Sequence, residues 1–65
     1  MGYVTGGTIR ILREKRKLTQ KELAEIIHVS DKTISKWETD KGLPDISMID
    51  ELARALGVSI AELLT

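Results

Sequence analysis

The sequence contains no cysteine, which excludes disulfide bonds and thiolate metal sites. Its apolar runs are only a few residues long, far short of the roughly 20 residues that a membrane-spanning helix needs. With a single histidine, no serine beside a plausible base and no phosphate-cradling glycine loop, it offers no catalytic constellation. We therefore predict no metal, cofactor, small-molecule substrate, membrane partner or enzymatic activity, and we expect a reducing cytoplasm as its location.

The chain is also short, and its 65 residues predict one small domain. A domain of this size buries only about 60% of the surface that its unfolded chain exposes. Its stability must therefore come from good helix caps and tight packing, or from association with a second copy.

The net charge is zero, yet the charges are distributed unevenly along the chain. Residues 1–41 carry nine basic and six acidic side chains, whereas residues 42–65 carry one basic and four acidic ones. A dipolar molecule of this kind can present a basic face to phosphates while its other end is acidic. Charge alone is equally compatible with a solvated surface on an ordinary domain.

Glycine and proline lie at junctions or in the first seven residues and never inside a helical stripe, and no strand pattern competes with the helical one. The sequence therefore indicates an all-α protein. Helix starts are marked by Thr19, Ser30 and Ser59, each a capping residue flanked by apolar residues at the staple positions. A fourth helix follows Pro44, and Gly57 stands just past its stripe, where a left-handed C-cap is expected. We predict a flexible lead-in at residues 1–7 and one domain at 8–64, a compact five-helix bundle with helices at about 8–17, 20–27, 31–38, 46–56 and 60–64.

The most informative stretch consists of two short capped helices joined by residues 28–30. Paired helices of this size that cross steeply form a helix-turn-helix unit. Ala24 suits the crossing, because a small side chain lets the second backbone come close. The two helices are predicted to share one buried face, made of Leu23, Ala24, Ile27, Ile34 and Trp37.

With that face buried, the second helix turns polar and basic side chains outward: Asp31, Lys32, Ser35, Lys36 and Thr39. The major groove of DNA admits one such helix, and lysine there can donate to guanine or to phosphates. Asp31 can accept from the amine of cytosine, although an acid in a first helical turn is also favoured by the helix dipole alone. Periodicity by itself leaves the lysines equally compatible with a solvated face.

A second contact is predicted at the start of the preceding helix. Gln20, with an exposed amide, and Lys21 lie beside free backbone N–H groups at the positive end of a helix, an arrangement that favours phosphate. Lys41, in the loop beyond the second helix, is placed to grip the same strand further on.

Three segments of the chain share a specific joint spacing: Thr19-Gln20-x-Glu22-Leu23-Ala24, Val29-Ser30-x-x-Thr33-Ile34-Ser35-Lys36-Trp37-Glu38 and Leu52-Ala53-x-x-Leu56-Gly57-Val58-Ser59-x-x-Glu62-Leu63-Leu64, with Pro44 between the last two. Together they resemble the phage repressor and Cro type of helix-turn-helix domain, also called the Xre family. The resemblance extends over about residues 8–64. It implies a lambda-repressor-like fold and sequence-specific binding to double-stranded DNA.

The resemblance also implies roles for individual residues. The recognition helix is about residues 30–38, and its base-edge contacts fall on Asp31, Lys32, Thr33 and Lys36. The resemblance also implies that Gln20 clamps the DNA backbone, and from their positions in the sequence we predict further backbone contacts at Lys21, Ser35, Thr39 and Lys41. Helix packing makes Ala24, Ile34 and Trp37 structural residues, and the resemblance adds a structural ion pair between Arg13 and Glu38.

One position departs from the family pattern, because His28 stands where the turn usually has glycine. Left-handed backbone is costly for most side chains, although histidine occurs there more often than the rest. Either His28 accepts this strain or the turn takes a different path. We predict neither a metal nor a proton-switch role for this residue.

The leading hypothesis is a transcriptional regulator, with a repressor favoured, that binds a two-fold symmetric operator as a weak homodimer. Half-sites then lie roughly 34–36 Å apart, and the resemblance places subunit contacts at Leu43, Ile46, Ile60 and Leu64. An antitoxin-type autoregulator would look much the same. A protein-interaction module that keeps the fold without binding DNA is the alternative from another class. The last predicted helix ends just before Thr65, which fits both a small regulator and the reading head of a longer one.

Overall fold

The computed structural model describes residues 4–64, and this part of the chain folds into five helices. They are α1 (Gly6–Lys15), α2 (Gln20–Ile26), α3 (Asp31–Glu38), α4 (Ile46–Leu56) and α5 (Ile60–Leu63). No strand lies within the described residues. The all-α class and the order of five helices are as the sequence predicts. Within residues 4–64, no helix combines the length and the apolar character needed to cross a bilayer.

Most helices begin where their caps predict. The Thr19 hydroxyl accepts from the Glu22 amide, and the Glu22 carboxylate accepts from the Thr19 amide, which completes a capping box at α2. The same reciprocal pair forms between Ser59 and Glu62 at α5. At α3, the Ser30 side chain alone caps by accepting from the third residue of the helix. Local hydrogen bonding therefore sets the starts of these three helices.

A single apolar core holds the helices together. Its fully buried members come from every helix: Ile9, Leu23, Ile34, Leu52, Leu56 and Leu63. Ala24 is 2% exposed, and its small side chain allows the close contact between α2 and α3 that the sequence predicts. The staple residues Leu18, Val29 and Val58 pack against the edge of this core. Truncating a central member such as Ile34 to alanine is expected to cost about 2–5 kcal/mol.

The predicted start of α1 at Thr8 is wrong by two residues. Thr5 is the N-cap, and its hydroxyl accepts from the Thr8 amide at 3.2 Å. Val4 is buried in the core, so residues 4–7 belong to the folded domain and not to a flexible lead-in. The first three residues of that predicted lead-in lie outside the described residues. The sequence misled here because two adjacent glycines are typical of flexible chain, whereas Gly6 lies against the end of α3.

Three helices are followed, two positions after their last residue, by a residue in left-handed conformation that is not glycine. These are Lys17, His28 and Asp40, with φ of 58°, 60° and 58°. In each case the next amide bonds back to the helix, as from Val29 to the Ala24 carbonyl at 2.9 Å. His28 therefore adopts the strained conformation, which decides between the two alternatives left by the sequence. Gly57 closes α4 in the same conformation, at φ 71°, as predicted.

Candidate nucleic-acid interface

The third helix buries its apolar side chains and exposes its charged ones. Ile34 is fully buried and Trp37 is 6% exposed. Asp31, Lys32 and Lys36 are exposed. Because residues four apart share one face of a helix, the two lysines lie one above the other on the outer surface. Neither lysine forms an ion pair within residues 4–64, so both ammonium groups are available to an anion.

Hydroxyl groups on and beside α3 already make hydrogen bonds within the domain. The Thr39 hydroxyl donates to the Ser35 carbonyl at 2.8 Å. The Thr33 hydroxyl lies 3.0 Å from the hydroxyl of Ser30. A hydroxyl carries one hydrogen. Thr39 can therefore donate to a phosphate only if its side chain rotates out of the existing bond, which makes it a weaker candidate than the lysines. Ser35 is half-buried, and its role stays a prediction.

The last residue of α3, Glu38, connects three helices. Arg13 Nε donates to Glu38 Oε2 at 2.6 Å, and Arg13 Nη2 donates to Oε1 at 3.1 Å. Gln20 Nε2 donates to the same Oε1 at 3.0 Å. The side chains of Arg13 and Glu38 are only 11% and 3% exposed. The ion pair that the resemblance implies is thus present, and it ties α1 to the start of α2 and the end of α3.

This network keeps Glu38 ionised although the carboxylate is nearly buried. Burial alone would raise its pKa, but hydrogen bonds from Arg13 and Gln20 and the charge of Arg13 outweigh burial. The pKa of Glu38 therefore lies below its ordinary value of 4.5. The hydrogen bond with Glu38 correspondingly raises the pKa of Arg13. The pair is charged throughout the neutral pH range.

Gln20 differs from its prediction, since its amide is not freely exposed. The side chain is half-buried and is held by Glu38. A glutamine amide has two hydrogens, so one remains for a phosphate while the other fixes the orientation of the group. Lys21 lies next to it and is exposed, as is Lys41 beyond the end of α3.

A contact that sequence reasoning missed anchors the far end of α3. The backbone N–H of Gly6 donates to the Asp40 carboxylate at 2.9 Å. A Cβ added at Gly6 would lie 2.6 Å from the Glu38 carbonyl oxygen, which is closer than any side chain tolerates. No local motif signals a contact between residues 34 positions apart. The N-terminus of α1 thus fixes the end of the helix that carries the lysines.

A separate apolar groove of about 460 Å³ lies between the loop after α3, α4 and α5. The four predicted subunit contacts all line it: Leu43, Ile46, Ile60 and Leu64. Ile46 is 88% exposed and Leu43 is 72% exposed. The structure thus brings these four residues into one surface, and their part in subunit contact stays a prediction.

Comparison with known proteins gives consistent matches. Residues 9–63 match the helix-turn-helix family. A transcriptional activator of the helix-turn-helix type, BcrR of Enterococcus faecalis, is 43% identical over 54 residues, which are 83% of this chain and 26% of the activator. The immunity repressor of Bacillus phage phi105 is 34% identical over 59 residues, which are 91% of this chain and 41% of the repressor. The chain thus spans well under half the length of these two relatives.

A solved structure matches over nearly the full length of both chains. It is the P22 c2 repressor in complex with a synthetic operator, with a TM-score of 0.87 and 33% identity. The match covers 97% of this chain and 96% of that chain. The five-helix fold is therefore that of phage repressor domains.

Proposed function

The chain belongs to the helix-turn-helix family, and we propose that it binds double-stranded DNA sequence-specifically as the DNA-reading domain of a transcriptional regulator. The observation that carries this proposal is that α3 has a buried apolar face and an exposed basic face. Ile34 and Trp37 anchor the helix in the core, so that Lys32 and Lys36 project together without an ion-pair partner in the described chain. Such a helix fits the major groove, and the P22 repressor of the same fold is in complex with an operator.

In this proposal, base reading and backbone positioning are separate tasks. Asp31, Lys32, Thr33 and Lys36 face the base edges from α3. Gln20 and Lys21 bind a phosphate at the start of α2, and Lys41 binds the same strand further on. The hydrogen bond from Gln20 to Glu38 supports this separation of tasks, because it fixes the Gln20 amide beside the end of α3.

The proposed operator is two-fold symmetric and is bound by a weak dimer. The exposed apolar side chains of the groove support self-association, since an apolar patch on a small domain is typical of an interaction site. Half-sites are then expected roughly 34–36 Å apart.

Both activation and repression are compatible with the comparisons, since the relatives include an activator and a repressor. A repressor is favoured because blocking a promoter requires only binding, which this domain can supply alone. An antitoxin that regulates its own synthesis would use the same surface. We propose the cytoplasm as its location, and the proposed activity involves no catalysis or cofactor.

A protein-interaction module without DNA binding is the second candidate. The zero net charge and the exposed Asp31 and Asp40 near the lysines favour it, because carboxylates repel phosphates. Selection from a random duplex library at low salt separates the two candidates. DNA reading predicts an enriched sequence whose affinity falls by about 0.9 log unit per log unit of salt for each phosphate contacted. If the folded protein retains no duplex, the proposal is wrong.

Two alanine variants test the roles of the residues on the selected duplex. Lys32→Ala is expected to relax preference at one base pair and to cost about 1–3 kcal/mol there. Gln20→Ala is expected to weaken all duplexes alike, because a phosphate contact carries no base information. Affinities are measured by fluorescence anisotropy on a panel of single-base variants. Equal losses on every duplex for both variants would contradict the division of roles.

A further inference from the structure

One charged side chain lines the otherwise apolar groove, and it is Asp50 on α4. Its carboxylate lies 3.1 Å from Nη2 of Arg54, one helical turn further along. Both side chains are well exposed, at 56% and 78%. In a single copy this is therefore a surface ion pair, which contributes little to folding.

Association changes the environment of this carboxylate. When a second copy covers the groove, Asp50 loses contact with water, and a desolvated carboxylate is strongly unfavourable unless a cation accompanies it. Arg54 is the sole basic residue in positions 42–65, and within one copy it already pairs with Asp50. In a pair of copies, the two arginines are therefore the nearest cations of this segment to both carboxylates. Each copy therefore carries one Arg54 guanidinium, on the helix that borders the groove.

We propose that Asp50 and Arg54 set the orientation of a two-fold pairing in which Asp50 of each copy contacts Arg54 of the other. This inference rests on the proposed self-association and adds the residues that orient it. In a two-fold interface, each contact occurs twice with the roles exchanged. An axis perpendicular to α4, at the level between these residues, reverses the direction of the second helix and places acid opposite base at both positions. A parallel arrangement would place like charges together.

A second copy fits this surface because the surface is self-complementary. Asp50 lines the groove among exposed apolar side chains, and Arg54 lies one helical turn from Asp50 on the same helix, so each copy carries one acid and one base. The groove itself is small, with eight lining residues, and a stable interface needs about 20–30 residues on each side. We therefore expect a weak pairing, in which the two exchanged ion pairs are enough to select the orientation.

Charge-swap variants test this exchange directly. Asp50→Arg and Arg54→Asp each place like charges across the axis, and each alone is expected to weaken self-association by roughly fivefold. An equimolar mixture of the two variants restores opposite charges at both positions, and it is expected to associate at least as tightly as the wild type. Repulsion within each helix is not relieved by mixing, so recovery in the mixture reports only on contacts between copies. Sedimentation equilibrium gives the dissociation constants, and circular dichroism verifies that each variant is folded.

The outcomes separate this inference from the proposal of DNA binding. A mixture that associates no better than its components overturns the exchange, as do single variants that associate like the wild type. A wild-type chain that stays monomeric, both free and on a two-fold operator, also overturns it. Binding of a single half-site duplex by Asp50→Arg is measured in parallel. If that binding persists at the wild-type level, DNA reading stands whatever the result for pairing; if wild-type protein binds no duplex, DNA reading fails by itself.

Discussion

Glu38 illustrates how a buried charge organises this domain. Its carboxylate is 3% exposed and is fully engaged by the Arg13 guanidinium and the Gln20 amide. Removing one partner of such a pair leaves the other charge incompletely solvated. Glu38 therefore links folding to the site, because the same oxygen that neutralises Arg13 also orients the amide proposed to bind phosphate.

Stability is expected to fall at acid pH through this residue. The pKa of Glu38 is lower in the folded chain than its ordinary value of 4.5. Its contribution is thus complete above that value and is lost as the pH falls through the lowered pKa. Glu38→Gln is expected to lower the free energy of unfolding by about 3–5 kcal/mol at pH 7. It is also expected to weaken the dependence of that free energy on pH in the acid range. Urea unfolding between about pH 2 and pH 7 measures both effects.

Glu14→Gln provides the matched control for this prediction. Glu14 also pairs with an arginine, Arg10, but at 3.5 Å and with both side chains more than half exposed. Surface pairs of this kind contribute about 0–1 kcal/mol. A loss of stability as large as that of Glu38→Gln would show that burial of the pair is not the cause.

His28 is expected to be a position where glycine is better for stability. Its φ of 60° is disfavoured for residues with a Cβ. Glycine removes this strain but loses more entropy on folding, so His28→Gly is expected to stabilise by about 0.5–1 kcal/mol. Gly57→Ala, at φ 71°, is the control of opposite sign. Thermal unfolding in which His28→Gly is clearly less stable would indicate an unrecognised role for the imidazole.

At the scale of helices, local sequence signals predicted most helix starts, whereas the remaining features depend on contacts between residues far apart in the sequence. The starts of α2, α3 and α5 follow from hydroxyl caps that bond within three residues. The start of α1 depends in addition on Gly6 lying against the end of α3, which no local pattern reveals. The outward face of α3 followed from helical period. The bond from Gln20 to Glu38 did not, because it joins residues 18 positions apart.

Two adjacent glycines in α1 are expected to respond to alanine in opposite ways. A Cβ at Gly6 would meet the backbone of α3, whereas a Cβ at Gly7 has nothing within 4 Å. Gly6→Ala should therefore destabilise the domain by separating α1 from α3. Gly7→Ala should stabilise it by about 1 kcal/mol, since alanine is the better helix former. Chemical unfolding of both variants checks this, and equal effects would contradict the close approach at Gly6.

Across the whole molecule, the two proposed surfaces lie in halves of opposite charge. The lysines of α3 and the start of α2 belong to residues 1–41, which carry the excess of basic side chains. The groove residues from Leu43 onward belong to residues 42–65, where acids predominate. Phosphates are therefore expected to be attracted to the segment that carries the lysines and repelled from the acidic segment. A net charge of zero is therefore compatible with the proposed binding of DNA.

The most direct test of the account is to follow backbone amide resonances while a single half-site duplex is added to the labelled domain. A half-site is used so that pairing between copies does not contribute to the shifts. We expect the largest changes at residues 31–39, with further changes at Gln20, Lys21 and Lys41, and little change at the residues that line the groove. Changes confined to α4 and α5, or none at concentrations that saturate binding, would contradict the claim that the outward face of α3 reads DNA.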